Sequence, residues 1–384
     1  MRMSASSDVR RDPVPFGPMR VVVAPDKFKG SLSAAEAADA IARGLKAAGA
    51  SPDVCPMADG GEGTLDALVA ALGGTVMGVI ARGPMGVPVR AHLGRLDDGT
   101  GVVELSQASG LRLVPPAERN PLLATSYGTG ELIKGALARR PSRLIVGIGG
   151  SATVDGGMGM ARALGIRFLD AHGTEVPPRG GGVLERVSSL DASRLDERWS
   201  AVEVLVAADV LSPLLGPDGA ASAYGPQKGA TPEMVEQLER GLKSIAGVVE
   251  RDLDVEVIDA PGAGAAGGAG MMLMALGAEL RRGAEMIADA TRLRDRIANA
   301  HLVITGEGCL DETTGAGKAP SLVAELARAA GVPCVALVGS ASTVDGFDEV
   351  RTLLEHFRGD ADESMARAAA GLHALAARVA SDRR

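Results

Sequence analysis

MRVVVAPDKFKGSLSAAEAADAIARGLKAAG, residues 19–49, is the stretch on which the fold turns. Met19–Ala24 is a short unbroken apolar run, as expected of a strand buried on both faces. Pro25 to Ser31 is turn chemistry. Ser33 and Glu36 then have the spacing of a capping box, in which each side chain satisfies a free backbone N–H of the other. Ala37, Ile41 and Leu45 follow at helical spacing, and Gly49 stands where a helix C-terminus favours glycine. Strand, turn, helix is the repeating unit of an α/β protein.

Four more apolar runs end in the same way. VCPM precedes Ala58-Asp59-Gly60-Gly61-Glu62-Gly63-Thr64. LIVGI precedes Gly149-Gly150-Ser151-Ala152-Thr153-Val154-Asp155-Gly156-Gly157. VEVLVAA precedes Asp209, and LVI precedes Thr305-Gly306-Glu307-Gly308-Cys309-Leu310-Asp311. Ligands of open parallel sheets bind beyond the carboxyl ends of the strands, so these turns are expected to converge on one cleft. Residues 360–384 alternate Ala, Arg and Leu at helical spacing and read as a terminal docking helix.

The composition narrows the chemistry. The 384 residues include 52 glycines and 21 prolines, about a fifth of the chain, which is rich but below the level of disorder. The length fits two domains. One Trp, two Tyr and five Phe leave an aliphatic core, and with a net charge of −8 they argue against a nucleic-acid partner. Cys55, Cys309 and Cys334 form neither a disulfide framework nor a zinc pattern, which suits a reducing, cytoplasmic compartment. Residues 1–19 are polar and Pro-rich, a tail expected to be disordered, with Met19 as a second candidate start. The longest uncharged run, Ala260–Ala278, is mostly Gly and Ala and is not expected to span a membrane.

The Gly149–Thr153 turn has the physics of an anion cradle, because glycines admit close backbone approach and a following helix start favours negative charge. Asp59, Asp155, Asp209, Glu307 and Asp311 suit two tasks: holding Mg²⁺ together with phosphate oxygens, and taking a proton from a hydroxyl. A single Asp after a strand is usually a helix cap, but five after five strands exceed that need. Lys29, Lys228 and Lys318 are candidate partners of a carboxylate or phosphate. Gly262-Ala-Gly264-Ala-Ala-Gly267 matches a dinucleotide fingerprint, yet no ribose-binding acid follows it, so close helix packing explains it better. The P-loop, protein-kinase and GxSxG patterns are absent.

The turns are more specific together than singly. APDKFKGSLSA (24–34), MADGGEGT (57–64), ASGL (108–111), NPLLATSYGTGELI (120–133), GIGGSATVDGGMGM (147–160), AADV (207–210), YGPQKGA (224–230), PGAGAAGG (261–268), TGEG (305–308) and GK (317–318) occur in this order. In that combination the chain resembles the bacterial glycerate kinase family over residues 20–380. The resemblance implies a kinase that uses ATP and Mg²⁺ to phosphorylate D-glycerate, with 2-phosphoglycerate favoured over 3-phosphoglycerate. It also implies two α/β domains: a flavodoxin-like one built from residues 20–75 plus 285–384, and one inserted as residues 76–284. A monomer or homodimer without membrane or nucleic-acid partners is expected.

On this reading Lys29, Asp59, Asp155 and Asp209 are the catalytic candidates. Lys29 would hold the glycerate carboxylate or the γ-phosphate, and Asp59 or Asp155 would orient or deprotonate the hydroxyl. Gly149, Gly150, Ser151, Thr153, Glu307 and Lys318 would bind nucleotide, and Asp209 and Asp311 would hold Mg²⁺. Two other classes compete: a nicotinamide-dependent hydroxy-acid oxidoreductase resting on Gly262–Gly267, and a non-catalytic metabolite-binding protein of the same fold.

Overall fold

The computed structural model describes residues 18–208, 211–310, 318–342 and 345–383. Its main architecture is two sheets. The first contains five parallel strands in the order Glu349–Thr352, Cys334–Val338, Leu302–Gly306, Arg20–Pro25, Ser51–Val54. Counted along the chain within this sheet the order is 2-1-3-4-5, the flavodoxin-like arrangement. Both chain ends therefore build one sheet, with Val22 opposite Val303.

The second sheet has six strands: Glu279–Arg282, Glu203–Ala208, Arg143–Gly147, Gly101–Glu104, Pro88–Leu96 and Gly74–Arg82. The first four are mutually parallel, and the last two form an antiparallel edge. The strand Gly74–Arg82 runs through position 75, and the helix Gly283–Ala290 runs through 285, so both expected domain boundaries fall inside regular elements.

Alternation along the strands sorts the side chains into layers. Val21, Val23, Leu302, Ile304, Val335 and Leu337 face the helices Ala34–Ala47 and Ala368–Ser381. Val22, Ala24 and Val303 face the opposite way, into a cluster with Leu65, Leu68, Ile287, Val323 and, from the second sheet, Val102, Ile145 and Leu205. One helical layer thus serves both sheets. The far side of the second sheet is covered by Tyr127–Leu137, Met158–Ala163, Pro232–Leu253 and Ala265–Ala275.

The first helix begins at the expected capping box. Ser33 Oγ accepts from the Glu36 N–H at 3.2 Å, and the Ser33 N–H donates to Glu36 Oε2 at 2.8 Å. Ser33→Ala should cost about 1 kcal/mol, read as a lower urea midpoint with unchanged turnover. A cost near zero would show that the box is idle.

The C-terminal segment is two helices, Ala361–Ala366 and Ala368–Ser381, parted at Arg367 (φ −116°). The longer one lies against the first helix. Gly44 permits this, since a Cβ there would strike the His373 carbonyl.

Candidate active site

In the first sheet the chain order reverses between Arg20–Pro25 and Leu302–Gly306, the position where open α/β sheets bind ligands. Asp26 follows the first of these strands, and Glu307 follows the second. The Asp26 N–H donates to the Gly306 carbonyl at 2.8 Å, which pins the two turns together. Asp26 is only 6% exposed. Lys27 Nζ donates to both oxygens of Asp59 at 3.1 Å and stands 3.9 Å from Asp26. Asp59 also accepts from the Gly61 N–H at 2.9 Å.

Burial pushes the Asp26 carboxyl up to about 7. Lys27 opposes that shift, and the charges of Asp59 and Glu307 reinforce it. A carboxyl of this kind, partly ionised at neutral pH, is matched to exchanging a proton with a hydroxyl.

The turn after Arg143–Gly147 rests on the Asp59–Gly63 turn. The Gly149 N–H donates to the Gly60 carbonyl at 3.2 Å. A Cβ on Gly149 would lie 2.5 Å from Gly61 Cα, so only glycine allows this approach. The Gly149–Thr153 turn is also tied to Ser109–Leu111: Ala152 N–H donates to Ser109 O, and Leu111 N–H donates to Gly150 O. Lys228 reaches the same turn from beneath, donating to Ser151 Oγ and Thr153 O at 2.8 Å each. The Thr153 hydroxyl is buried without a hydrogen-bond partner.

These contacts bring turns from both sheets together, with the Asp59–Gly63 turn touching the Gly149 turn. Comparisons with known proteins point to one family. A model of the glycerate kinase family matches residues 21–383. A glycerate kinase of Bacillus subtilis is 48% identical over 84% of this chain and 86% of its own. A glycerate 2-kinase of Escherichia coli is 45% identical over 88% of both chains. The crystal structure described as glycerate kinase 2 from Salmonella typhimurium LT2 superposes with a TM-score of 0.85, at 44% identity, covering 95% of this chain and 98% of that one.

The chain belongs to the glycerate kinase family. Membership in this kinase family disfavours the oxidoreductase alternative, and the structure gives a reason. The Gly262–Gly267 run follows the helix Pro232–Leu253 instead of a strand. Its glycines serve close packing: a Cβ on Gly267 would strike the Thr153 carbonyl, and one on Gly264 the Pro213 carbonyl.

The expected site residues of this family member divide. Asp59, Gly149, Gly150, Ser151 and Thr153 lie in the contacting turns, and Glu307 borders Asp26. Lys29 is exposed, and the lysine that pairs with Asp59 is its neighbour Lys27. Lys318 precedes the helix Ala319–Ala329. Asp209 and Asp311 lie outside the described residues.

Asp155 does not fit the expected role of proton acceptor. It is fully buried, and its carboxylate accepts from the Ser126 N–H and hydroxyl, Thr125 Oγ1, and the Gly157 and Gly159 N–H groups. With its lone pairs committed to the frame, Asp155 is a clamp for the loop. The sequence reading does not single out Asp26, which the structure buries beside Asp59 and Glu307. Its position directly after the first strand was the available signal.

Mg²⁺ needs hard oxygen donors and usually takes one or two carboxylates with phosphate oxygens. Asp26, Asp59 and Glu307 are donors of that kind in one place. Among the described residues no group of three His, Cys, Asp or Glu side chains is placed to hold a metal ion, and Asp209 and Asp311 lie outside those residues. Among the described residues no helix is long and apolar enough to cross a membrane.

Proposed function

We propose that this chain transfers the γ-phosphoryl group of ATP to the 2-hydroxyl of D-glycerate, giving 2-phosphoglycerate, in the cytoplasm. The observation that carries this reading is the Asp26–Lys27–Asp59 group facing the glycine turns at the switch point of the first sheet. The name of the Escherichia coli relative supports the 2-hydroxyl. Two domains, one around the sheet built from both chain ends and one around the six-stranded sheet between them, would frame the site.

The nucleotide would supply the phosphoryl group, and its Mg²⁺ the charge neutralisation that phosphoryl transfer needs. Gly149, Gly150, Ser151 and Thr153 would hold phosphate oxygens, with Glu307 and Lys318 on the nucleotide side. Asp209 and Asp311 would hold the metal. Asp26 takes the hydroxyl proton, because it is the described carboxyl whose affinity for a proton suits neutral pH. Asp59, fixed by Lys27 and the Gly61 N–H, orients the hydroxyl. Lys27 also offers its charge to the glycerate carboxylate, and the exposed Lys29 is placed to meet the incoming anion.

The test is proton-coupled phosphorus NMR of D-glycerate incubated with Mg-ATP and the protein. Phosphate on carbon 2 has one vicinal proton and gives a doublet; phosphate on carbon 3 has two and gives a triplet. A doublet is expected. A triplet would move the product to 3-phosphoglycerate, and no new signal from folded protein would overturn the activity.

A further inference from the structure

Lys228 is the one residue of the Tyr224–Ala230 segment whose charge is sunk into the protein. It is 3% exposed, and no described carboxylate stands within ion-pair distance of it. An ammonium carries three N–H donors. Two of them are used on Ser151 Oγ and Thr153 O, both in the glycine turn. A buried cation without a counter-ion is costly, and burial pushes the Lys228 amine down to about 7. Asp155 is the charged group whose field reaches it, and it pulls the other way. On the remaining side, Gly229 packs against the backbone of Arg119, whose guanidinium is bonded to the Gln227 carbonyl.

The turn above Lys228 has unused capacity. The Thr153 hydroxyl is buried and unpartnered. The Ser151 hydroxyl has one proton to donate, and while its oxygen accepts from Lys228 that proton is left for another acceptor. A charged Lys228 therefore fixes Ser151 as a donor, whereas a neutral amine lets Ser151 donate to Lys228 instead.

We propose that Lys228 is the charge partner of the phosphate bound on the Gly149–Thr153 turn, and that it takes up a proton when this anion arrives, turning the Ser151 O–H towards the phosphate. The proposal rests on the reading of that turn as the phosphate site. Lys228 acts through Ser151 and is a positioning residue. The anion supplies the counter-charge that the fold withholds, so the ammonium form is favoured in the complex and the amine form in the free protein.

The experiment is calorimetric titration of the full chain with Mg-ATP at pH 8 in Tris and in HEPES, whose ionisation enthalpies differ. The wild type is expected to take up as much as ~0.9 proton on binding, and its Kd should weaken by up to about tenfold per pH unit above pH 7. Lys228→Arg, charged at every pH, should bind without the uptake. Lys228→Met should bind more weakly and also lose it. A purely structural lysine would leave the proton count unchanged. Binding by the wild type without proton uptake overturns the proposal and leaves the phosphate site standing. Uptake that persists in Lys228→Met or Lys228→Arg assigns the proton elsewhere and also overturns it. No binding of Mg-ATP by folded wild-type protein overturns both.

Discussion

Replacing Asp26 by Asn should lower D-glycerate phosphorylation by at least ~100-fold, the lower end for a positioned acid or base, while making the protein more stable above pH 7. The side chains have nearly the same shape, and Asn can still accept the Lys27 N–H that Asp26 Oδ1 accepts at 2.6 Å. Only the proton-accepting carboxylate is lost. Asp26 has a folded value of about 7 against an ordinary 3.8. Between those two values the folded state binds more proton than the unfolded state, so stability falls as pH rises from about 4 to about 7 and is flat beyond. Asn carries no such penalty. The variant should therefore gain on the order of 2–4 kcal/mol at pH 8 and little at pH 4, measured by urea unfolding. The pH profile gives a second check. At saturating Mg-ATP the wild-type kcat/KM should rise with pH through about 7, as Asp26 ionises, and the residual rate of Asp26→Asn should lack that limb. Near-normal turnover in the variant would remove Asp26 from the chemistry.

Gly60→Ala should cost about 2–5 kcal/mol of stability together with most of the activity. Gly60 has φ +87°, and its missing Cβ would lie 2.7 Å from the Ala207 carbonyl oxygen and 2.9 Å from Ala207 Cβ. These neighbours belong to the strand Glu203–Ala208, paired on both sides, so they cannot turn aside as a flexible side chain would. On its other side the Gly60 carbonyl lies 2.7 Å from where a Cβ of Gly147 would be. Moving Gly60 would therefore shift Asp59 and the Gly149 turn together. Gly63→Ala is the control. It shares a left-handed backbone, with φ +93°, but a Cβ there meets nothing within 4 Å. Its cost should be only the backbone term, about 1–2 kcal/mol. Equal losses for the two variants, in urea unfolding and in turnover, would show that the contact with the second sheet is unimportant.

Much of the frame is legible in local sequence. Ser33 and Glu36 cap their own helix, and the apolar run before Asp26 is a buried strand, because both effects act between residues a few positions apart. The antiparallel edge Gly74–Leu96 was not read. Its outward face leaves Val76 and Ile80 exposed, which blurs the polar–apolar alternation that marks a half-buried strand. The choice between Lys27 and Lys29 was equally hidden. Two residues apart, they differ only once Phe28 is buried and bonded back to Leu32, which directs Lys27 to Asp59 and leaves Lys29 in solvent.

The sequence by itself determined an α/β chain whose strands end in acidic and glycine-rich turns, and the order of those turns identified the family. Tertiary structure decided the surroundings of each of those groups. Asp155 became a clamp because Ser126, remote in sequence, offers it two donors. Asp26 gains its raised proton affinity because burial removes water from it and Asp59 and Glu307 are brought beside it. Propensity and capping are short-range along the chain, whereas desolvation and Coulomb interactions depend on distance through space, which only the folded packing sets.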